Sequence, residues 1–291
     1  MESLVKAGKI AKDVMAKSTK LIKPGARHLE AADTIEKMIK DEGGKIAFPT
    51  NISINDVAAH QIPKFQDKLE FGEKDIVKVD IGVHIDGYIA DTAITIDLSG
   101  EYSDMLEVNR KALDAAIELI KPGASISQIG EVVQQIITSA GYKPIENLSG
   151  HELKQYDLHA GLNIPNIKTP HDWTIEEGMV LAIEPFATDG AGHVIESPKP
   201  EIFSVTEERP IRMREARMLL KALKERGELP FAARWYAKKF NPMKLALILN
   251  QLTLAEIIHS YPPLHDKNQG MVSQFEHTVI VQEDSVQVTT A

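Results

Sequence analysis

The chain has 291 residues, of which 43% are hydrophobic and 26% are charged, and its net charge at pH 7 is −9. This composition predicts a globular protein of one large domain or two ordinary ones, and it excludes a disordered chain. Because there is no cysteine, thiolate metal sites, disulfides and cysteine nucleophiles are excluded too. No apolar run approaches the roughly 20 residues that span a bilayer, and the N-terminus lacks the apolar run of a signal peptide. We therefore expect a soluble cytoplasmic protein with no membrane contact.

An internal repeat organises the first two thirds of the chain. The residues Leu21–Gly25 recur as Leu119–Gly123, so the two copies are 98 positions apart. Each copy ends an amphipathic helix, since proline followed by glycine stops helical backbone, and a second helix follows each copy. The predicted helices are Leu4–Ile22, His28–Asp41, Val108–Ile120 and Ile126–Ala140.

Each pair of helices is followed by an apolar strand that ends in an acidic residue. The first strand ends at Asp80 and the second at Glu184, 104 positions later and close to the offset of the helices. A five-residue match could arise by chance, but the order helix, breaker, helix, strand and acid occurs twice. We predict two α/β halves related by duplication, each bringing an acid to a shared centre.

The first of these strands belongs to a predicted β-hairpin with Asp86 and Gly87 at its turn. With that turn, Asp80 faces Ala93 and Asp91 is its diagonal neighbour on the same face. Two adjacent carboxylates repel each other unless a cation or a proton lies between them. A polar face open to water explains the hairpin equally well when the hairpin is considered alone.

The stretch from about residue 206 to residue 266 departs from the repeat and reads as an all-helical insertion. The chain therefore divides into a core of residues 1–205 and 266–291 and a helical insertion subdomain of residues 206–265. Beyond the insertion we predict strands at Val272–Gln282 and Val286–Thr290. The helices predicted within it are Ile211–Arg226, Leu229–Phe240, Pro242–Leu249 and Thr253–Ser260.

The insertion is also where the positive charge concentrates. Between Thr206 and Ala246 there are eleven Lys or Arg against five Asp or Glu, a local charge of +6 that leaves −15 for the rest of the chain. Solvated helix faces explain such a run in most proteins. The alternative is a surface for a polyanion such as ribosomal RNA.

Three more potential metal ligands join Asp80 and Asp91: His151 after a glycine, Glu184 at the end of its apolar strand, and Glu276 in a predicted strand. An acid at the end of an apolar strand is costly to bury unless it is paired. Four carboxylates and one imidazole suit a pair of divalent cations held roughly 3.5–4 Å apart by bridging carboxylates.

The motifs around these residues resemble those of the methionine aminopeptidases of the pita-bread fold, over essentially the whole chain. The insertion between Glu184 and Glu276 resembles the type II subclass, and the lack of a charged N-terminal extension resembles the archaeal members. The resemblance implies an α/β (α+β) pita-bread fold: two pseudo-twofold-related halves around a central antiparallel sheet, with a type II helical insertion. It rests on Phe48–Thr50, Asn55–His60, Gly150–His151, Ile183–Pro185, Tyr261–Leu264 and Gln274–Thr278.

The resemblance also implies an activity, that of a metal-dependent methionyl aminopeptidase. Such an enzyme removes the initiator methionine from nascent polypeptides with a small second residue, by attack of a hydroxide shared by two metal ions on the scissile carbonyl. Asp80 would bind one metal, His151 and Glu184 the other, and Asp91 and Glu276 both. Glu184 would also accept the proton of the attacking water. Five oxygen and nitrogen ligands do not select among cobalt, manganese, iron and zinc.

Other residues take their expected roles from the same family pattern. His159 would hydrogen-bond the substrate amide or the developing oxyanion, and His60 would lie on the leaving-group side. His151 and His159 are eight positions apart, so an extended segment would point them the same way. Phe48 and Leu158 would line the methionine pocket, although Phe48 could equally be ordinary core. The family also favours a monomer whose partners are nascent polypeptide N-termini.

Two other functions compete with this one. Prolidases, aminopeptidase P and creatinase share the pita-bread core, but they carry an additional N-terminal domain and place the ligand histidine in other surroundings. Non-catalytic relatives, such as the proliferation-associated proteins, keep the fold, lose metal ligands and contact ribosomes or RNA. All five predicted ligands are present here, and so are the two histidines that the family pattern places at the substrate cleft, His60 and His159 (the cleft histidines). This favours the enzyme. Ribosome contact through the basic insertion is compatible with that activity.

Overall fold

The computed structural model describes residues 1–170, 173–207 and 209–291. Within these residues, three short 3₁₀ turns extend or connect the helices: Thr19–Leu21, Lys224–Arg226 and Ala233–Trp235. The α-helices of the described residues are α1 (Glu2–Ser18), α2 (His28–Asp41), α3 (Ser103–Glu118), α4 (Ile126–Ser139), α5 (Arg214–Leu223), α6 (Ala237–Phe240) and α7 (Pro242–Leu254).

The β-strands are short except for one long hairpin. In chain order they are β1 (Lys45–Ile46), β2 (Asn51–Ile54), β3 (Val57–Ala59), β4 (Ile76–Ile85), β5 (Tyr88–Asp97), β6 (Lys143–Pro144), β7 (Ser149–Glu152), β8 (Asn163–Pro165), β9 (Val180–Ile183), β10 (Phe186–Thr188), β11 (Val194–Glu196), β12 (Ile202–Val205), β13 (Phe231–Ala232), β14 (Ile258–Tyr261), β15 (Leu264–Asp266), β16 (Val272–Gln274), β17 (His277–Val281) and β18 (Val286–Val288).

The first half of the molecule is built on the hairpin β4–β5. Asp86 and Gly87 form its two-residue turn with φ of 50° and 87°, the positive values that a type I′ turn requires. The predicted register is confirmed, because Asp80 pairs with Ala93 and Asp91 with Gly82. Strands β1 and β2 pair with β4, and α1 packs against both strands of the hairpin. This half buries its own apolar core, which includes the inward faces of α1 and α2.

The second half repeats this arrangement around the antiparallel sheet β18-β17-β9-β7-β8. Helices α3 and α4 pack against each other, α3 also contacts β9, and α4 contacts β8. A second apolar core lies beneath them. The predicted single strand Val272–Gln282 is wrong, since the chain leaves regular pairing at Phe275 and Glu276 and resumes as β17. This interruption falls at a predicted metal ligand.

The repeat is visible in hydrogen bonds as well as in element order. The Gly25 N–H donates to the Phe71 carbonyl at 2.8 Å, and the Gly123 N–H donates to the Ile175 carbonyl at 2.8 Å. Both glycines have positive φ, 77° and 81°. Since proline and a left-handed glycine turn the chain in the same way in both copies, the two predicted α/β halves are confirmed.

The halves join edge to edge between β5 and the segment that precedes β17. Ala93 and Glu276 form a backbone bridge between them. On one side of this bridge, the Thr278 hydroxyl accepts from the Asp91 N–H and donates to the Asp91 carbonyl. On the other side, the Thr95 hydroxyl makes the same pair of bonds to Gln274. The two threonines therefore make the same pair of bonds on either side of the bridge, and these bonds join the two halves.

The insertion is less helical than its sequence predicts. The predicted helix Thr253–Ser260 is wrong: α7 runs on to Leu254, Glu256 breaks it with a φ of 55°, and β14 follows. Leu229–Phe240 contains β13, a 3₁₀ turn and only four α-helical residues. Strands β13 and β14 both pair with β12, and β-branched side chains such as Ile258 suit such a strand. The sheet therefore contains strands from both sides of the predicted boundary at residue 205. The boundary itself stays a prediction.

Among the described residues, none of the helices combines the length and the apolar character that crossing a membrane requires.

Candidate metal centre

The five predicted metal ligands meet at one cavity where the two halves join. The cavity has a volume of about 230 Å³ and opens to the surface. All nine residues singled out from the sequence line it: Phe48, His60, Asp80, Asp91, His151, Leu158, His159, Glu184 and Glu276.

Both halves contribute ligands through equivalent strands. Asp80 and Asp91 come from the paired strands β4 and β5. Glu184 follows β9, and Glu276 precedes β17, the strand paired with β9. His151 lies on β7, opposite Ala182 of β9. The repeated strand order therefore places an acid from each half beside the junction, as the sequence predicts.

The side chains approach each other closely enough to share cations. The His151 Nε2 atom lies 3.5 Å from Glu184 Oε1 and 3.8 Å from Asp91 Oδ2. One ligand atom each from Asp91, His151 and Glu276 lie within 4.8 Å of one another. Carboxylate oxygens and an imidazole nitrogen at such separations form a suitable set of ligands for divalent transition metals.

The four buried carboxyl groups of the cluster need a nearby positive charge to be ionised. Burial raises the pKa of Asp80 to about 7. Burial, followed by repulsion from neighbouring carboxylates, holds the pKa values of Asp91, Glu184 and Glu276 well above their usual range. Burial also lowers the pKa of His151 to about 3, so its imidazole is neutral and can act as a ligand. Bound dications would stabilise the ionised carboxylates.

Unsatisfied oxygens support the same conclusion. The buried atoms Asp80 Oδ1, Asp91 Oδ1 and Glu276 Oε1 have no hydrogen-bond donor among the described residues. Buried polar atoms in folded proteins nearly always have a partner, and a metal ion is one explanation when none is found. The residues present therefore fit a pair of divalent metal ions.

The two cleft histidines, His60 and His159, both contact Tyr261. The ring of His60 lies 5.6 Å from the Tyr261 ring, and the ring of His159 lies 6.4 Å from it. His159 also contacts the predicted ligand His151, with 4.5 Å between ring centroids. His60 Nδ1 lies 3.2 Å from the Pro262 carbonyl, and burial lowers the pKa of His60 to about 4. His60 is therefore neutral at pH 7, and its other ring nitrogen remains for a substrate.

His159 reaches the cavity by a different route from the extended segment predicted from the sequence. The chain between the two histidines turns tightly, with Lys154 and Asp157 forming paired backbone hydrogen bonds. The His159 N–H then donates to the Asp157 carboxylate at 3.2 Å. A turn rather than strand alternation brings His159 beside His151, so that part of the prediction is wrong although both side chains line one cavity.

The apolar wall of the cavity centres on Phe48. Phe48 is buried and packs with Leu158 in a small apolar cluster. Its ring lies over Gly82 of β4: a Cβ atom at that position would stand 2.3 Å from Phe48 Cε1. Glycine at position 82 therefore leaves space for the ring directly opposite the ligand Asp91.

Among the residues in or next to the cavity that have no role predicted from the sequence are Gln274, Tyr261 and Pro230. The Gln274 amide donates to Glu184 Oε2 at 3.1 Å, and the Tyr261 ring contacts both His60 and His159. Gln274 and Tyr261 lie in motifs that carry the family resemblance, so position within a motif was the available signal. Pro230 also lines the cavity, but it comes from the insertion, and no local pattern predicts that it reaches the cavity.

Comparisons with known proteins agree with this geometry. A profile of metallopeptidase family M24 matches residues 2–283. The methionine aminopeptidase of Pyrococcus horikoshii is 46% identical over 292 residues, covering 100% of this chain and 99% of the relative. Among solved structures, a methionine aminopeptidase from Thermotoga maritima superposes with a TM-score of 0.73 at 22% identity, covering 99% and 95% of the two chains. A thermophilic Arx1 superposes with a TM-score of 0.87 at 16% identity, covering 99% and 89%. These structures confirm the predicted pita-bread fold.

Proposed function

The chain belongs to metallopeptidase family M24, and from this premise we propose that it is a methionine aminopeptidase. It removes the initiator methionine from nascent polypeptides whose second residue is small. The observation that carries the proposal is the meeting of four carboxylates and His151 in one cavity with both cleft histidines. Full-length identity to archaeal methionine aminopeptidases supports the same activity. A non-catalytic relative would have no need to keep this costly buried cluster.

We propose the following division of ligands between two divalent cations. Asp80 would hold one, His151 and Glu184 would hold the other, and Asp91 and Glu276 would be shared by both. Asp91 lies on β5, and Glu276 lies in the segment that is bridged to β5 at Ala93, which supports their shared roles. Bound there, divalent cations would supply a water of lowered pKa and positive charge to polarise the scissile carbonyl.

The protein's own groups orient the substrate and move its protons. Glu184 accepts the proton of the attacking water, and the hydrogen bond from Gln274 to its Oε2 fixes the carboxylate. His159 stands at the mouth of the cavity, where it can donate to the substrate carbonyl as negative charge develops there. His60, held through Nδ1 at the Pro262 carbonyl, lies on the leaving-group side.

The side chain of the substrate methionine fits the apolar wall formed by Phe48, Leu158 and Pro230. Such a pocket accepts an unbranched thioether and discriminates against a misfitting group by roughly 1–3 kcal/mol. This wall lies beside the cluster, so the residue it binds is the one whose peptide carbonyl reaches the cations.

Peptide hydrolysis tests the proposal directly. Metal-free protein is assayed on Met-Ala-Ser and Met-Leu-Ser with and without cobalt, manganese, iron or zinc, beside Glu184→Ala. We expect the protein to release methionine from Met-Ala-Ser but not from Met-Leu-Ser, and only when metal is added. Glu184→Ala should release none. No release with any metal by a folded protein would contradict the proposal and favour the non-catalytic relative.

We further propose that the insertion contacts ribosomal RNA. Of its eleven basic residues, Arg226 and Arg234 turn inward, and most of the others are exposed. Arg217 hydrogen-bonds the carbonyls of Ile211 and Arg212, so charge reversal is better placed elsewhere. The triple variant Arg212→Glu, Arg214→Glu, Lys221→Glu should lose co-sedimentation with ribosomes at low salt.

A matched control for this experiment comes from α1 and the 3₁₀ turn that follows it, where Lys6, Lys9 and Lys20 are exposed too. The triple variant Lys6→Glu, Lys9→Glu, Lys20→Glu changes the net charge by the same amount. Equal loss of co-sedimentation in both variants would show a response to net charge and would contradict a ribosome surface on the insertion.

We also propose that the enzyme is a cytoplasmic monomer. We likewise propose that the chain divides into a catalytic domain of residues 1–205 and 266–291 and an insertion subdomain of residues 206–265. Light scattering should give a mass near 32.2 kDa, and a dimer mass would contradict the monomer.

A further inference from the structure

One basic residue of the insertion lies inside the protein without an acidic partner. Arg226 is partly buried, and no carboxylate of the described residues lies within 4.0 Å of its guanidinium. Burial lowers its pKa to about 10, and it stays charged at neutral pH. A cation in this setting is costly unless hydrogen bonds compensate for the lost water.

Those hydrogen bonds connect two separate parts of the chain. Arg226 Nη2 lies 3.1 Å from the Ile46 carbonyl, 3.0 Å from the Ala47 carbonyl and 2.6 Å from the Pro230 carbonyl. Charge-assisted bonds of this kind are about twice as strong as neutral ones. The guanidinium therefore ties the backbone of the insertion to the backbone of the first half.

The position of the guanidinium is itself fixed. Its central carbon lies over the ring of Trp235, 5.0 Å from the centroid. The Trp235 indole N–H donates to Glu36 Oε2 at 2.8 Å, which holds the ring against α2. The same carboxylate pairs with Arg234.

Both tied segments form walls of the proposed methionine pocket. Ala47 immediately precedes Phe48, and its N–H donates to the Gly82 carbonyl at 2.9 Å. Pro230 lines the same cavity from the insertion. Hydrogen bonds from one guanidinium to the carbonyls of Ala47 and Pro230 therefore set the distance between these two walls.

We propose that Arg226 is a positioning residue that sets the width of the pocket for the first side chain of the substrate, and thereby its preference for unbranched methionine. The inference rests on the proposed function, since it takes Phe48 and Pro230 as the walls that contact methionine. Arg226 itself does not line the cavity, so its effect passes through the backbone of these two residues.

The test compares Arg226→Met, which removes the hydrogen bonds but keeps an unbranched side chain, with wild type on Met-Ala-Ser and Leu-Ala-Ser. We expect KM for Met-Ala-Ser to rise about 10-fold with kcat within about twofold, because binding weakens while the reacting groups stay in place. The ratio of kcat/KM for methionine over leucine should fall about 10-fold. Arg226→Lys, which keeps a charged donor, should recover part of this ratio.

Lys224→Met serves as the matched control, because Lys224 is an exposed residue of the same 3₁₀ turn. It should leave KM and the ratio unchanged. Amide hydrogen exchange of the metal-free protein gives a readout independent of turnover. Residues 46–50 and 229–232 should exchange about 10-fold faster in Arg226→Met and at the wild-type rate in Lys224→Met.

The outcomes separate this inference from the proposed function. A folded Arg226→Met variant with an unchanged methionine-to-leucine ratio, or with unchanged exchange at residues 46–50, would overturn the role of Arg226. Wild-type protein that releases no methionine would instead contradict the proposed function, and the exchange experiment would still decide whether Arg226 holds the two walls. If Arg226→Met fails to fold, Arg226→Lys carries both measurements, with a smaller change expected in the same direction.

Discussion

The two halves of the molecule use the same framework but connect its central strands differently. In the first half, β4 and β5 are joined by the two residues Asp86 and Gly87, and both acids lie on one continuous hairpin. In the second half, β9 and β17 pair just as closely, yet more than 90 residues separate them along the chain, including the whole insertion. Pairing of strands rather than the length of the connection therefore determines where the ligands lie.

This difference explains why the insertion can take part in the site. A long connection between β9 and β17 costs little additional closure entropy, because the strands on either side are held by their own sheet. The inserted segment is free to fold back over the first half, where Pro230 reaches the cavity and Arg226 the backbone beside Phe48. The tight hairpin of the first half leaves no room for a similar contribution.

The largest expected effect distinguishes Asp80 of β4 from Glu184, which follows β9. Glu184→Gln should lower kcat/KM by about 10²–10⁴-fold, because it removes a proton acceptor as well as a ligand. Asp80→Asn should weaken metal binding by at least about 10–100-fold, and excess metal should restore part of its activity. Metal titrations of both variants on Met-Ala-Ser measure this. If excess metal restored the activity of both variants equally, Glu184 would act only as a metal ligand.

The same acid of the first half predicts a pH dependence of the metal-free protein. Burial raises the folded-state pKa of Asp80 to about 7, so between about pH 4 and pH 7 the folded state binds a proton that the unfolded chain has lost. The stability from this group is complete below the unfolded pKa and is lost as pH rises through the folded one. We expect Asp80→Asn to gain about 2–4 kcal/mol in free energy of unfolding relative to wild type between pH 5 and pH 8.

Urea unfolding of both proteins in the presence of a chelator measures this difference. The buried histidines respond in the opposite direction but equally in both proteins, so only the difference between them is interpreted. The surface variant Asp284→Asn is the control and should follow wild type. A difference between Asp80→Asn and wild type that stays constant with pH would contradict the prediction.

The sequence predicts the first half more completely than the second for a physical reason. A turn such as Asp86-Gly87 is a local signal that fixes the register of its own hairpin, and the pairing of Asp80 with Ala93 follows from it. The repeat transfers this reasoning to Glu184, because the same order of elements recurs.

Long-range contacts account for what the sequence does not predict. The segment Thr253–Ser260 has apolar residues at helical spacing, and only pairing with β12 makes its end a strand. Glu276 sits in a break between β16 and β17 that no alternation pattern marks. The Arg226 guanidinium bonds the carbonyls of Ile46 and Ala47, which lie about 180 residues away in sequence.

A smaller effect tests the junction between the halves. Thr278→Val and Thr95→Val each remove a hydroxyl that satisfies one N–H and one carbonyl of the facing strand. Each should destabilise the metal-free protein by about 1–3 kcal/mol. Only Thr278 holds the backbone of Asp91, so kcat/KM should fall about 10-fold or more in Thr278→Val and remain closer to wild type in Thr95→Val.

Serine variants at both positions provide the control for the threonine prediction, because they keep the hydroxyl and lose only a methyl group. They should retain most of the stability in urea unfolding and most of the activity. An equal loss of activity in Thr95→Val and Thr278→Val would mean that the junction transmits strain to the ligands from either side.

The smallest expected effect compares the two copies of the repeat directly. Gly25 and Gly123 have φ of 77° and 81°, and a Cβ atom at either position would meet no atom within 4 Å. Alanine at each position should therefore lower the free energy of unfolding by about 1–2 kcal/mol, from the left-handed backbone alone. The loss should be nearly the same in both halves. Gly72→Ala, at a glycine without positive φ, is the control in urea unfolding and should cost less. Unequal losses would show that the two turns, although alike in geometry, are held differently by Phe71 and Ile175, whose carbonyls accept their N–H groups.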